Sequence, residues 1–216
     1  MISLKNISKR YGNNAVYEDF NLDIEKNKIL VVLGESGSGK TTLLNILAGL
    51  TDFEGSIDEL DKKVSMVFQK NRLIPNLTVE ENLLLVNPKT DVDFWLDSVG
   101  LLKNKKSYPK ALSAGMARRV AILRALICEN SLLLMDEPFV NLDLALKFSL
   151  IEKIKAVLKD KPCTVVVVTH DIKEAVAIAD RIIVLSKGEK VADISQINEN
   201  TEKQLFGIMM GLFSEN

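Results

Sequence analysis

Apolar positions along this chain follow distinct periods, and each period predicts a different kind of element. Ile2, Leu4 and Ile7, then Phe20, Leu22 and Ile24, alternate with polar residues as half-buried strands do, with a turn at Gly12-Asn13-Asn14 between them. They predict an antiparallel β edge. Ile29 to Leu33 is instead continuously apolar and rich in β-branched residues, the pattern of a strand covered on both faces. Similar runs predict strands over 64–68, 132–135, 163–169 and 181–185, with a hairpin turn at Lys187-Gly188-Glu189 leading to a short last strand. Helical spacing appears over 40–50, 144–158, 172–179 and 202–213. The stretch 78–130 also reads as helical, in pieces, with helices at 91–101 and 113–128. Thr78 followed by Glu81 forms the sequence pattern of a capping box. Strands alternating with helices predict a mainly parallel sheet with helices on both faces.

Composition narrows the class. The chain has 216 residues, 47% hydrophobic and 26% charged, enough for one sizeable core and tight for two domains. Lys and Arg number 28 against 29 Asp and Glu, which excludes a protein whose main task is coating nucleic acid; no nucleic-acid partner is expected. No apolar run approaches the ~20 residues that span a bilayer, and the N-terminal residues do not read as a secretory signal. Cys128 and Cys163, far apart and without neighbours at ligand spacing, fit reduced thiols.

The chemistry begins at Gly34-Glu35-Ser36-Gly37-Ser38-Gly39-Lys40-Thr41, a G-x-x-x-x-G-K-[ST] run between an apolar strand and a helix. In that context it predicts a P-loop: backbone N–H groups and the helix N-terminus cradle phosphates, Lys40 reaches the β- and γ-phosphates, and Thr41 ligates Mg²⁺. Thr42, next on the helix, belongs to the same nucleotide site. Leu132 to Met135 leads into Asp136-Glu137, two carboxylates at the carboxyl edge of a parallel strand, where ligands bind. Asp136 suits the metal, and Glu137 suits a base that polarises the attacking water. The architecture expected is one α/β nucleotide-binding core, residues 1–71 and 130–216, interrupted by a helical subdomain over 72–129.

Leu112-Ser113-Ala114-Gly115-Met116, followed by Arg118-Arg119-Val120-Ala121-Ile122, resembles the signature motif of the ATP-binding cassette (ABC) transporter ATPases. Further matches follow the family's order: Gln69 resembles its Q-loop glutamine, Asn141-Leu142-Asp143 its D-loop, and Thr169-His170-Asp171 its switch histidine. Tyr11 stands where the family places an aromatic side chain on adenine. Read singly, each has a plainer alternative. Tyr11 fits a partly buried edge residue, Gln69 a polar strand end, His170 a hydrogen-bonded structural histidine and Asp143 a helix cap; the arginines fit a solvated helix face.

The resemblance implies a P-loop ABC-ATPase fold and a head-to-tail homodimer that sandwiches two ATP molecules, each between one P-loop and the other subunit's Ser113, Ala114, Gly115 and Met116. It implies Glu137 as base, His170 at the γ-phosphate, and Gln69 on Mg²⁺ and coupled to a transmembrane permease. The segment 71–82 resembles the coupling segment of bacterial importers. The chain would then work at the cytoplasmic face of the membrane, with an extracytoplasmic solute-binding protein acting through the permease. Two residues depart from the family pattern: Ala114 replaces a glycine, and Met116 a glutamine. Methionine there resembles the nitrate, sulfonate and taurine importer branch. Efflux or lipoprotein-releasing ATPases, and a nucleotide-switched module of the cell-division type, share the same core and stand as alternatives.

Overall fold

The computed structural model describes residues 1–61 and 63–214. Its centre is a six-stranded sheet in the order β5-β6-β7-β3-β8-β9. β3 (Ile29–Gly34), β5 (Val64–Val67), β6 (Leu132–Asp136), β7 (Thr164–Thr169) and β8 (Arg181–Ser186) run parallel, and β9 (Glu189–Ile194) closes one edge antiparallel to β8. Every residue of β3, β6 and β7 is buried, which is why these strands read as unbroken apolar runs.

The two faces of that sheet bury different partners, and successive residues are divided between them by the strand's period of two. Leu30, Val32, Leu134, Val166 and Val168 pack with α1 (Lys40–Leu47) and with the apolar face of β1 (Ile2–Tyr11) and β2 (Asn14–Ile24). Val31, Leu33, Met135, Val165 and Val167 pack on the opposite side with α4 (Ala114–Ile127), α5 (Leu144–Asp160), α6 (Ile172–Ile178) and α7 (Thr201–Ser214). The N-terminal hairpin therefore forms, but as part of its own sheet. β4 (Glu54–Asp58) adds to β1 as a third strand that the sequence pattern did not announce, because only Ile57 in it is apolar.

Between β5 and β6 the chain is helical: α2 (Val79–Leu84), α3 (Val92–Ser98), two short 3₁₀ turns, and then α4. Thr78 caps α2 with the full reciprocal capping box, and Asp91 caps α3. The turn between β8 and β9 has Lys187 at φ +47° and Gly188 at φ +82°. A side chain on Gly188 would lie 2.0 Å from the Val16 carbonyl oxygen, so glycine is required there. Among the described residues, no helix is long and apolar enough to cross a membrane.

Candidate active site

β3 delivers the chain to its carboxyl end at Gly34, and Glu35 to Gly39 turn it into α1. Gly39 takes φ +103° as the residue before the helix, and an added Cβ would meet the Tyr17 hydroxyl at 2.8 Å. Tyr17 lies beneath the loop, 1% exposed, and its hydroxyl donates to the Gly39 carbonyl at 2.9 Å. The loop closes around its own cation: Lys40 Nζ donates to Gly34 O at 2.8 Å, to Glu35 O, and to Ser38 Oγ at 3.5 Å. Burial holds the Lys40 ammonium below its ordinary pKa, partly opposed by the carboxylates of Glu137, Asp136 and Glu35. Ser36, Gly37 and Thr41 are exposed and Thr42 is half-buried. Among the described residues, the buried Glu35 Oε1 has no hydrogen-bond partner.

Parallel pairing brings the remaining groups to the same edge. Thr41 Oγ1 donates toward Asp136, 3.3 Å from Oδ1 and 3.2 Å from Oδ2, at the end of β6. Burial raises the Asp136 pKa most, Thr41 opposing it by hydrogen bonding and the Glu137 charge adding to it. Glu137 follows with its backbone in the left-handed region, φ +45°, and its Oε1 lies 3.0 Å from His170 Nδ1. His170, just past β7, is exposed and meets Glu137 there, so its ring belongs to this edge and not to the sheet interior. Gln69, exposed, sits two residues beyond Val67, which pairs with Met135 next to Asp136.

The signature residues sit at the start of α4. Ser113 caps that helix, its Oγ accepting from the Met116 N–H at 3.2 Å. Gly115 faces the Asn141 carbonyl so closely that a Cβ would lie 3.2 Å from it, which packs the signature against Asn141-Leu142-Asp143. Ala114 is exposed. Asp143 caps α5, accepting from the Leu146 N–H at 2.9 Å. Tyr11, at the end of β1, is 48% exposed, with Lys9 Nζ 4.8 Å from its ring centroid. The idea of a solvated arginine face fails at Arg118, which is 3% exposed. α4 packs against β5 and α2, which covers Arg118, while Arg119 and Arg124 stay half-buried. Nothing in the motif spacing marked Tyr17 as part of this region, and the signature resemblance included Arg118 without giving it a role of its own.

These features define the class as a P-loop nucleotide-binding α/β fold whose chain is helical between β5 and β6. The family model for ABC transporters matches residues 17–140. The aliphatic sulfonates import ATP-binding protein SsuB of Bacillus thuringiensis subsp. konkukian (strain 97-27) is 41% identical over 210 residues, covering 91% of this chain and 83% of that protein. The Fe(3+) ions import ATP-binding protein FbpC of Fusobacterium nucleatum is 38% identical over 208 residues, 87% of this chain and 56% of that protein. Among solved structures, the dimeric cassette MJ0796 bound to ADP and Pi superposes with a TM-score of 0.80 at 31% identity, covering 90% of this chain and 98% of that one. The chain belongs to the ABC transporter family, as one of its ATPase cassettes.

Proposed function

We propose that this chain is the ATP-hydrolysing subunit of a membrane importer for a small solute, working as a head-to-tail dimer on the cytoplasmic face against a transmembrane permease. The observation that supports this most is the gathering of Lys40, Thr41, Asp136, Glu137 and His170 at one sheet edge, with Ser113 on a separate helix start. The import direction follows the sulfonate and iron relatives, both import ATP-binding proteins.

The oxygen-rich pair of Thr41 and Asp136 suits a hard divalent cation, and burial of the Asp136 carboxylate makes a cation there favourable. Thr41, Asp136 and Gln69 would hold Mg²⁺, which when bound supplies charge neutralisation to the phosphate oxygens. Lys40 binds the same oxygens with the donors it now gives to Gly34, Glu35 and Ser38. Glu137 takes the proton of the attacking water, and His170, at 3.0 Å, orients that carboxylate and contacts the γ-phosphate. Tyr11, exposed at the strand end, offers its face to adenine. Gly34 to Gly39 present backbone N–H groups to the phosphates, and the Ser113 to Met116 helix start, with Asp143 beside it, meets the nucleotide of the second subunit. A solute-binding protein outside the membrane would act through the permease. Residues 72–129 then form the helical subdomain, and 71–82 the face toward the permease.

Steady-state ATP turnover of the purified protein tests the reading. Glu137→Gln is expected to lower the rate by about 100-fold or more. Equal rates for the two proteins would overturn it.

A further inference from the structure

The chain leaves the β5–β6 ladder at its last pair, Val67 with Met135. Beyond that pair the two segments diverge, one into Phe68 and Gln69, the other into Asp136, Glu137 and Pro138. Their backbone carbonyls converge on one side chain. Arg118 Nε donates to Pro138 O at 2.8 Å, Nη2 to Asp136 O at 2.7 Å and to Glu137 O, and Nη1 to Phe68 O, to Gln69 O at 3.3 Å and to Asn71 Oδ1 at 3.3 Å. The guanidinium is thus a clamp that joins the segments where the sheet stops joining them.

Its chemistry fits that place. A buried cation is costly unless its donors are all used and negative charge lies near. Here the planar fork meets six oxygens from two chain segments, and the carboxylates of Asp136 and Glu137 offset the burial of the charge. A lysine has a point charge on a flexible stem and could not face both segments at once.

One of the bound carbonyls belongs to Glu137, whose backbone is held at φ +45°. A glutamate in the left-handed region is strained, and such a conformation persists only when its surroundings over-determine it. The Glu137 N–H is tied to Val168 O at 3.0 Å, and Arg118 ties the carbonyl on the other side. That backbone setting aims the carboxylate at His170. The same guanidinium holds the backbone of Gln69.

We propose that Arg118 is a positioning residue for ATP hydrolysis: its guanidinium fixes the strained backbone of Glu137 and registers it against Gln69. The inference rests on Glu137 being the base. Because Arg118 stands on the helix that Ser113 begins, signature and base become one mechanical unit.

Arg118→Gln, Arg118→Lys, Glu137→Gln and the double variant Arg118→Gln/Glu137→Gln test it, by steady-state turnover with Mg-ATP, equilibrium ATP binding and thermal melting. Both single Arg118 variants are expected to lose about 10- to 100-fold in kcat, with ATP affinity held within about threefold. In the double variant, turnover is expected to stay within about twofold of Glu137→Gln alone, because no base remains to be misplaced. Should Arg118→Gln fail to fold, Arg118→Lys, which keeps charge and bulk, carries the same comparison. A kcat within about twofold of wild type in folded Arg118 variants, beside an inactive Glu137→Gln, would overturn the positioning role alone. So would an equal loss of ATP affinity, or an additive loss in the double variant. Full activity in Glu137→Gln would instead remove the base assignment, and the positioning role with it.

Discussion

Asn82 offers a sharp test of how the segment before α2 is held. Its side chain is fully buried, and it folds residues 74–78 around itself: Oδ1 accepts from the Ile74 N–H at 2.8 Å, while Nδ2 points to Ile74 O at 3.1 Å, Leu77 O at 3.1 Å and Thr78 O at 2.9 Å. Arg124 reaches Oδ1 from α4 at 3.4 Å. An amide has two N–H groups, so one of the three carbonyl bonds is shared. In Asn82→Ala the Thr78 and Ile74 carbonyls keep other partners, the N–H groups of Asn82 and Leu77. Two backbone groups then lose the partner that Asn82 gave them, the Ile74 N–H and the Leu77 carbonyl, and Arg124 Nη1 loses only its long 3.4 Å bond. At about 1–2 kcal/mol each, the expected cost is about 2–4 kcal/mol. For a chain of this size that is a melting temperature lower by roughly 5–15 °C. Urea denaturation gives the magnitude, and amide hydrogen exchange gives the place, with protection lost first around residues 74–78. A loss below about 0.5 kcal/mol with unchanged exchange at Ile74 would refute the claim that this one amide organises the segment.

Two further outcomes follow from the β8–β9 hairpin. Arg181 binds Asp193 through Nε and Nη2, each at 2.7 Å, and with Lys190 it holds the Asp193 pKa down at about 2. A folded-state pKa below the ordinary value means stability that is present above about pH 4 and lost as pH falls toward about 2. Screening at its 32% exposed side chain reduces the effect to about 1 kcal/mol, so Asp193→Asn should cost that much at pH 7. The gap should shrink as the solution is acidified; a gap that does not change with pH would contradict the pairing. In Gly188→Ala the new methyl group collides with the Val16 carbonyl at φ +82°, for an expected loss of about 2–3 kcal/mol. Because the Gly188 N–H donates to Ser38 O at 3.3 Å, ATP binding measured by titration should weaken as well, and a variant with wild-type melting and affinity would refute this.

What could be read from the residues divides along physical lines. The P-loop and the Asp136-Glu137 strand end were legible because their chemistry needs particular residues at short, fixed spacing beside buried strands. The capping box at Thr78 was legible for the same reason, and it forms as drawn. β4 was not, since a polar strand has no alternation to display, and its place beside β1 is decided by tertiary pairing. Arg118 and Asn82 were opaque for a different reason. An arginine on a helix gives no sign of its burial until the sheet edge covers it, and an asparagine gives none of the loop wrapped around it. Both act on backbone groups, which every residue shares and no motif records.

The central strand also orders events during folding. Both neighbours of β3, namely β7 and β8, come from the last third of the chain, and the Asn27 N–H meets Thr164 Oγ1 across a separation of 137 residues. Loop closures of that length make such pairings slow. The P-loop can be synthesised early, but until β7 and β8 dock it hangs from a strand with two open edges, and neither His170 nor the Gly188 turn is in place. Nucleotide affinity is therefore a property the chain acquires late and all at once. The rise of ATP binding during refolding would report the closing of the sheet and would lag behind the formation of the N-terminal hairpin.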